Sequence, residues 1–577
     1  MRTRSVAGAA PHERQAASGA SALTARDGAI ALALALLTCA LLTATAPQIG
    51  LTWDEPAYIA ASEVYVAWLE RLWNAPAYAL SPQGIRTYWD INHEHPPLDK
   101  VWSGVVWSAA RQFTDDLTAH RLGNILVVGA LVALLYLSVA RSYGPGAGLA
   151  AAATLLALPR FFFHAHLAAL DVPAAAGVFA VTALFWHTRA RPGFGWDPLL
   201  GVCWGAALAT KINALFVLPT LLVWALLLRP AHPRVSRRRL VGRLAVAGAI
   251  GLPLFVALWP WLYHDTWERL DGYVRFITVD HWEIGQWYLG TWSMPPPWHF
   301  AFVMLLAATP LATLLLAGAG LAAGLYDALR GRRTSEQATP GAREGGGPAL
   351  LWALSALVPL LALAVGQTKV YDNERLFMPV FPFLAALAGV GLARLLRMAW
   401  GALGRGAALL IRPFVVAALA LAAFVPQLAT GAVLYPHLLS YYSEAVGGLP
   451  GAVRLGLETT YWCETYAAAL PHINARARPG AVVWAEPWSH DVLLYYQLQG
   501  RLRPDVRVAL TKGAGSILAS KGAEGVPAEI DEADFVIVAY RETGLFVHPQ
   551  IQRWVAGREP VLRVERFGVP LMELYER

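Results

Sequence analysis

Cysteine is scarce: three in 577 residues (Cys39, Cys203 and Cys463), far apart and with no CxxC pair. That excludes a disulfide framework and a thiolate zinc site. Charge is scarce too. Asp, Glu, Lys and Arg make up 15% of the chain, where soluble domains carry about 25%. There is no Walker loop, and no Gly-x-Gly-x-x-Gly joins a strand to a helix, so a cytosolic nucleotide site is unsupported. The net charge of +7 suggests nucleic acid at first sight, but its distribution argues otherwise.

What the chain has instead is apolar sequence. Hydrophobic residues make up 56% of it, with 23 Trp, and runs of about 20 apolar residues recur from Ala29 to Val433. The expected architecture is an all-α polytopic membrane protein of about 11 transmembrane helices with a small C-terminal extracytoplasmic α/β domain. Spans are expected near 29–47, 121–140, 146–163, 172–188, 197–209, 212–228, 240–262, 299–325, 349–366, 376–393 and 413–434. The pair at 197–228 is short for two crossings and reads as half-helices meeting near Thr210-Lys211. Residues 1–28 read as a disordered cytoplasmic N-terminus, 29–434 as the membrane domain with an amphipathic external loop at 48–120, and 435–577 as the extracytoplasmic domain.

Basic residues set the orientation. Segments on the N-terminal side of this arrangement carry 21 of them and the opposite segments before residue 435 carry nine. Basic loops stay in the cytoplasm, so the N-terminus is expected inside and the C-terminal region outside. The basic clusters are then topology signals, and nucleic acid is not an expected partner.

The polar residues collect in the outside segments. Asp54 and Glu55 follow the first span directly; they either cap the next helix or face a substrate. From Pro56 to Trp73, Tyr58, Ala61, Tyr65, Trp68, Leu69 and Leu72 recur at helical spacing, an amphipathic stripe suited to the bilayer surface. Next comes Asn92-His93-Glu94-His95-Pro96-Pro97, either a metal-binding His pair or a polar turn. Asp171 stands at the mouth of the fourth span and Lys211 inside an apolar hairpin, where a charge marks a site or a buried pair. The segment 263–298 mixes acids with Trp267, Trp282, Trp287 and Trp292, in keeping with a sugar site or an interfacial belt. Lys369 and Arg375 open the tenth span. Arg375 suits a phosphate, or a pair with Glu374 or Asp54. Near the C-terminus, 482–486, 506–510 and 534–540 read as strands, 489–499 and 548–556 as helices, and 561–575 as a hairpin.

In one order, Asp54-Glu55, His95-Pro96-Pro97-Leu98, Asp171, Thr210-Lys211 and the run Arg375 to Pro382 resemble the GT-C glycosyltransferases of the protein O-mannosyltransferase-like group. Its bacterial branch includes aminoarabinose and galacturonic acid transferases acting on lipopolysaccharide. The resemblance spans most of residues 50–395, and Leu376 departs from the aromatic usual there. It implies a bacterial inner-membrane enzyme. Such an enzyme moves a sugar from a polyprenyl-phosphate donor to a lipid, glycan or protein acceptor outside the cytoplasm, with inversion. Asp54 is then the expected base, with Glu55, Glu94, His95, Asp171, Lys211, Lys369 and Arg375 binding substrate. No cofactor is required by the residues, and the resemblance leaves a divalent metal near these acids open. The competing class is a transporter of a lipid-linked saccharide, which also places acids and cations in a central cavity.

Overall fold

The computed structural model describes residues 23–191, 195–227, 235–280, 284–333, 347–365, 370–402, 408–511 and 513–577. Among these, seven helices are long and apolar enough to cross a membrane: Ala25–Gln48, Asp116–Tyr143, Arg237–Ala257, Leu311–Leu329, Gly347–Val365, Val380–Gly401 and Ile411–Leu434. Two shorter apolar helical stretches, Pro145–Leu156 and Ile212–Leu227, lie among them. The chain is a multi-pass membrane protein. Leu32, Leu36 and Leu37 on the first helix are exposed, as lipid-facing residues are, and Asp116–Tyr143 and Val380–Gly401 form the buried centre.

Small residues bring the central helices together. A Cβ on Gly320 would lie 2.0 Å from the Leu387 carbonyl oxygen, and one on Gly391 would lie 2.0 Å from that of Leu316. The Leu311–Arg333 and Val380–Ala402 helices therefore cross backbone to backbone, a contact that only glycine permits.

Three apolar runs break where the backbone demands it. Lys211 is extended between the Trp196–Thr210 helix and the turn Ile212–Phe216. Pro310 separates Phe300–Ala308 from Leu311–Arg333, since proline supplies no N–H to continue a helix. Pro159 opens a new short helix after Pro145–Leu156 has ended. The last two runs read as continuous from composition alone.

The external stripe at 55–74 does form a helix, Glu55–Asn74, but its aromatic face is buried in protein. Tyr65 donates to the Ile91 carbonyl, Trp68 donates to that of Ala79, and both rings pack on Trp89. An apolar stripe looks the same whether it meets lipid or protein, so the bilayer-surface expectation gives way here.

Past the last long helix the chain builds a six-stranded sheet. With β1 (Gln286–Tyr288) and β2 (Thr291–Ser293) forming a hairpin in the 263–298 segment, the sheet strands are β3 (Val482–Glu486), β4 (Arg507–Leu510), β5 (Val526–Pro527), β6 (Phe535–Ala539), β7 (Leu562–Arg566) and β8 (Val569–Glu576). Their order is β5-β4-β3-β6-β8-β7. β3 to β6 run parallel; β8 lies antiparallel to β6 and to β7. One face joins Val483, Ile537 and Leu574 into an apolar cluster with Leu51, Ile59 and Leu117 of the membrane part. Tyr496 and Tyr495 reinforce that contact, accepting from the Leu51 amide and donating to Asp116.

Candidate active site

Arg375 stands at the centre of the polar residues. It sits in the turn Arg375–Phe377 just before the Val380–Ala402 helix, and its guanidinium reaches three carboxylates. It pairs with Asp54, donates to Asp372 at 3.0 Å and donates to Asp171 at 3.2 Å. It also donates to the Tyr58 hydroxyl at 3.2 Å and lies 5.0 Å from the Trp462 ring. Lys211, freed by the helix break, pairs with the other oxygen of Asp171. Two cations thus share one buried anchor, a geometry that fixes both tips where a charged ligand can meet them.

Glu55 goes elsewhere. It accepts from Arg121 through both oxygens at 2.8 Å, and from the amides of Thr52 and Ala168 at 3.0 Å. Arg121 spends its remaining donors on the carbonyls of Ala46, Ile49 and Gly50. Neither residue has any exposed side-chain surface. This buried pair ties the turn after the first span to the Asp116–Tyr143 helix, and so aims the neighbouring Asp54 the other way. Burial works against the ionised Glu55, but Arg121 and the amide donors hold its carboxyl below the ordinary range.

Asp54 keeps 24% of its side chain exposed, and that surface opens onto a cavity. Burial pushes its carboxyl above the ordinary value against the pull of Arg375, with Asp372 and Asp171 adding to the rise. Two cavities meet here. One, of about 490 Å³, is lined mainly by apolar side chains such as Val178, Leu215, Phe216 and Leu363, with Lys211 and Arg375 at one end. The other, of about 640 Å³, is polar and aromatic and lies between Asp54 and the C-terminal sheet. Glu94, His95 and Tyr371 line both. One oxygen of Glu94 is buried with no hydrogen-bond partner.

The remaining expected residues sort plainly. Burial, with Lys100 nearby, holds His95 well below the usual imidazole value and so uncharged. His93 bonds the Asp90 carbonyl and stacks on Trp261, so the two histidines do not share a ligand position. Lys369 lies outside the described residues. Among the described residues, the metal-donor group within 4.8 Å is Glu63, Asp116 and His120. It is away from both cavities, and Lys521 already pairs with Glu63 there.

Residues that local pattern did not single out complete the site. Asp372 accepts from Arg375 on one oxygen and from Arg541, beyond β6, on the other at 2.8 Å. Glu374 pairs with Arg160 at 2.5 Å and accepts from Tyr461 at 2.9 Å rather than meeting Arg375. Arg160 is a charge inside an apolar run, a signal of the same kind as Lys211. Arg541 carried no signal, since its partner is 169 positions away.

The architecture has known counterparts. Residues 95–261 match the family model for dolichyl-phosphate-mannose-protein mannosyltransferase. The chain superposes on the crystal structure of ArnT from Cupriavidus metallidurans in the apo state with a TM-score of 0.50 and 16% identity, over 96% of this chain and 98% of that one. The chain shares the fold of this ArnT. The same ArnT bound to undecaprenyl phosphate matches at a TM-score of 0.48, with 17% identity over 95% and 97% of the two chains. The archaeal oligosaccharyltransferase AglB from Archaeoglobus fulgidus matches at 0.44, with 11% identity over 90% and 72%. A search of curated protein sequences finds no match. The family-model segment carries His95, Asp171 and Lys211, while Asp54 and Arg375 join them only through the fold.

Proposed function

We propose that the protein is an inner-membrane glycosyltransferase that takes a sugar from a polyprenyl-phosphate donor and passes it, with inversion, to an acceptor outside the cytoplasm. The observation that carries this reading is the meeting of the two cavities at Asp54, Arg375 and Lys211. The apolar cavity suits a polyprenyl chain, and the cations at its end suit the phosphate. The ArnT that shares the fold has also been solved with undecaprenyl phosphate.

The chemistry follows from the positions. The donor phosphate competes with Asp54 for Arg375, and releasing that ion pair leaves a carboxylate whose basicity burial has raised. Asp54 then takes the proton from the acceptor hydroxyl or amine as the new bond to the anomeric carbon forms. The bond from that carbon to the phosphate oxygen breaks on the opposite face, which inverts the centre. The lipid phosphate leaves with an added negative charge, which Lys211 and Arg375 stabilise. Asp171 holds the two cations in register, and Asp372 holds Arg375 from the other side. Glu94 and His95, on the wall shared by both cavities, contact the sugar in transit. Glu55 is a structural residue in this scheme. The N-terminus is cytoplasmic, and the C-terminal sheet covers the site from outside.

Supplying the purified protein in nanodiscs with radiolabelled polyprenyl-phosphate sugars and membrane extract tests the reading. Label passing into the acceptor fraction supports the enzyme. Label crossing the bilayer still attached to its lipid, with no new product, overturns it in favour of a transporter.

A further inference from the structure

The strand order carries information about the outer cavity. From β3 the chain moves to β4 and β5 on one side, then returns to place β6 on the other side of β3. The loops leaving β3 and β6 therefore diverge above the carboxyl ends of these two strands. In open α/β sheets that divergence leaves a crevice, and ligands bind there. Here Pro487 to Val492 follow β3, while Arg541, Thr543 and His548 follow β6, and all of them line the 640 Å³ cavity whose inner wall holds Asp54 and Arg375. One space runs from the crevice of the sheet to the proposed base.

Its chemistry points to one kind of occupant. Trp53 and Trp488 each keep 37% of their surface exposed within this cavity. Trp488 stacks on His548 at 4.2 Å, and Glu486 pins the His548 ring through Nδ1 at 2.8 Å, which leaves Nε2 for a ligand. Ser516 holds Asp491 at 2.6 Å. Indole faces beside fixed acid, imidazole and guanidinium groups match a pyranose, whose C–H face stacks while its hydroxyls bond. A peptide taken up by strand addition needs a free sheet edge. The edges here are β5 and β7, and β3 and β6 lie inside the sheet.

We infer that the crevice above β3 and β6 is a sugar-binding subsite, built around Trp488 and His548, that holds the acceptor as a glycan ring and presents its hydroxyl to Asp54. The assignment of the ring as acceptor rests on the transfer reading above; the subsite itself does not need turnover.

Saturation-transfer NMR on the full chain in nanodiscs tests it, with deacylated lipopolysaccharide oligosaccharide and an uncharged threonine-containing hexapeptide as probes. Wild type and Asp54→Asn are both expected to saturate the sugar ring protons. Trp488→Ala and His548→Ala weaken the oligosaccharide Kd roughly tenfold or more, as the loss of a buried aromatic anchor does. Trp488→Phe restores part of it, and Trp267→Ala, an exposed ring on the Thr266–Arg275 helix, leaves it unchanged. Undecaprenyl phosphate binding by native mass spectrometry reports that each variant is folded; a variant that fails it is set aside and the other decides. Equal Kd values throughout, or the hexapeptide taking the crevice, each overturn the inference. Oligosaccharide bound by a wild type that transfers no sugar would overturn the glycosyltransferase reading and leave the subsite standing.

Discussion

Replacing Glu55 with Gln separates the two adjacent acids most sharply. Glu55 accepts two charge-assisted bonds from Arg121, and three more from the Thr52 amide, the Thr52 hydroxyl and the Ala168 amide. Both partners are fully buried. Glutamine keeps the shape but leaves the Arg121 charge uncompensated away from water. Breaking a buried pair from one side costs about 3–5 kcal/mol. Asp54→Asn leaves Arg375 with Asp171 and Asp372, so its cost is expected to be about 1 kcal/mol or less. Thermal denaturation of the three proteins in identical nanodiscs reads the difference. Glu55→Gln is expected to lower the midpoint by several degrees while the folded fraction keeps measurable transfer; Asp54→Asn does the opposite. Glu55→Gln as stable as wild type yet inactive would refute the structural assignment and return Glu55 to the chemistry.

Three further outcomes follow from the same geometry. Arg375→Lys cannot reach Asp54, Asp171 and Asp372 from one planar group, and kcat is expected to fall about a hundredfold or more in the radiolabel transfer assay. Because burial raises the Asp54 carboxyl, and a base works only when ionised, kcat is expected to decline as the pH falls through that raised value. A pH profile of kcat should show the decline at higher pH than an ordinary aspartate gives. Gly391→Val places side-chain atoms against the Leu316 carbonyl and is expected to destabilise the protein by at least about 1–3 kcal/mol, read as a lower yield of monodisperse protein and a lower denaturation midpoint.

Much of the architecture can be read from the chain, and for physical reasons. Apolar runs of bilayer length have few alternatives, and a lysine in the middle of one forces a break, as at Lys211. The same cost of burying charge draws attention to Asp171 and Arg375. The structure brings these residues and Asp54 into one cluster although they are spread over 321 positions. Sequence adjacency misleads for Asp54 and Glu55, because neighbours at a helix start point in different directions, and only the fold reveals Arg121 behind Glu55. The Glu55–Asn74 stripe gives its helix but not its partner, since protein and lipid select the same apolar face. Asp372 and Arg541 are invisible locally because their pairing joins the membrane part to the loop after β6.

The central claim is that Asp54 accepts the acceptor proton while Arg375 and Lys211 hold the departing phosphate. Single-turnover transfer from a radiolabelled polyprenyl-phosphate sugar, wild type against Asp54→Asn, tests it most directly. Asp54→Asn is expected to bind the donor at least as tightly as wild type, since its Arg375 has lost a competing carboxylate, and to transfer about 10²–10⁴-fold more slowly. Transfer at the wild-type rate by Asp54→Asn would contradict it.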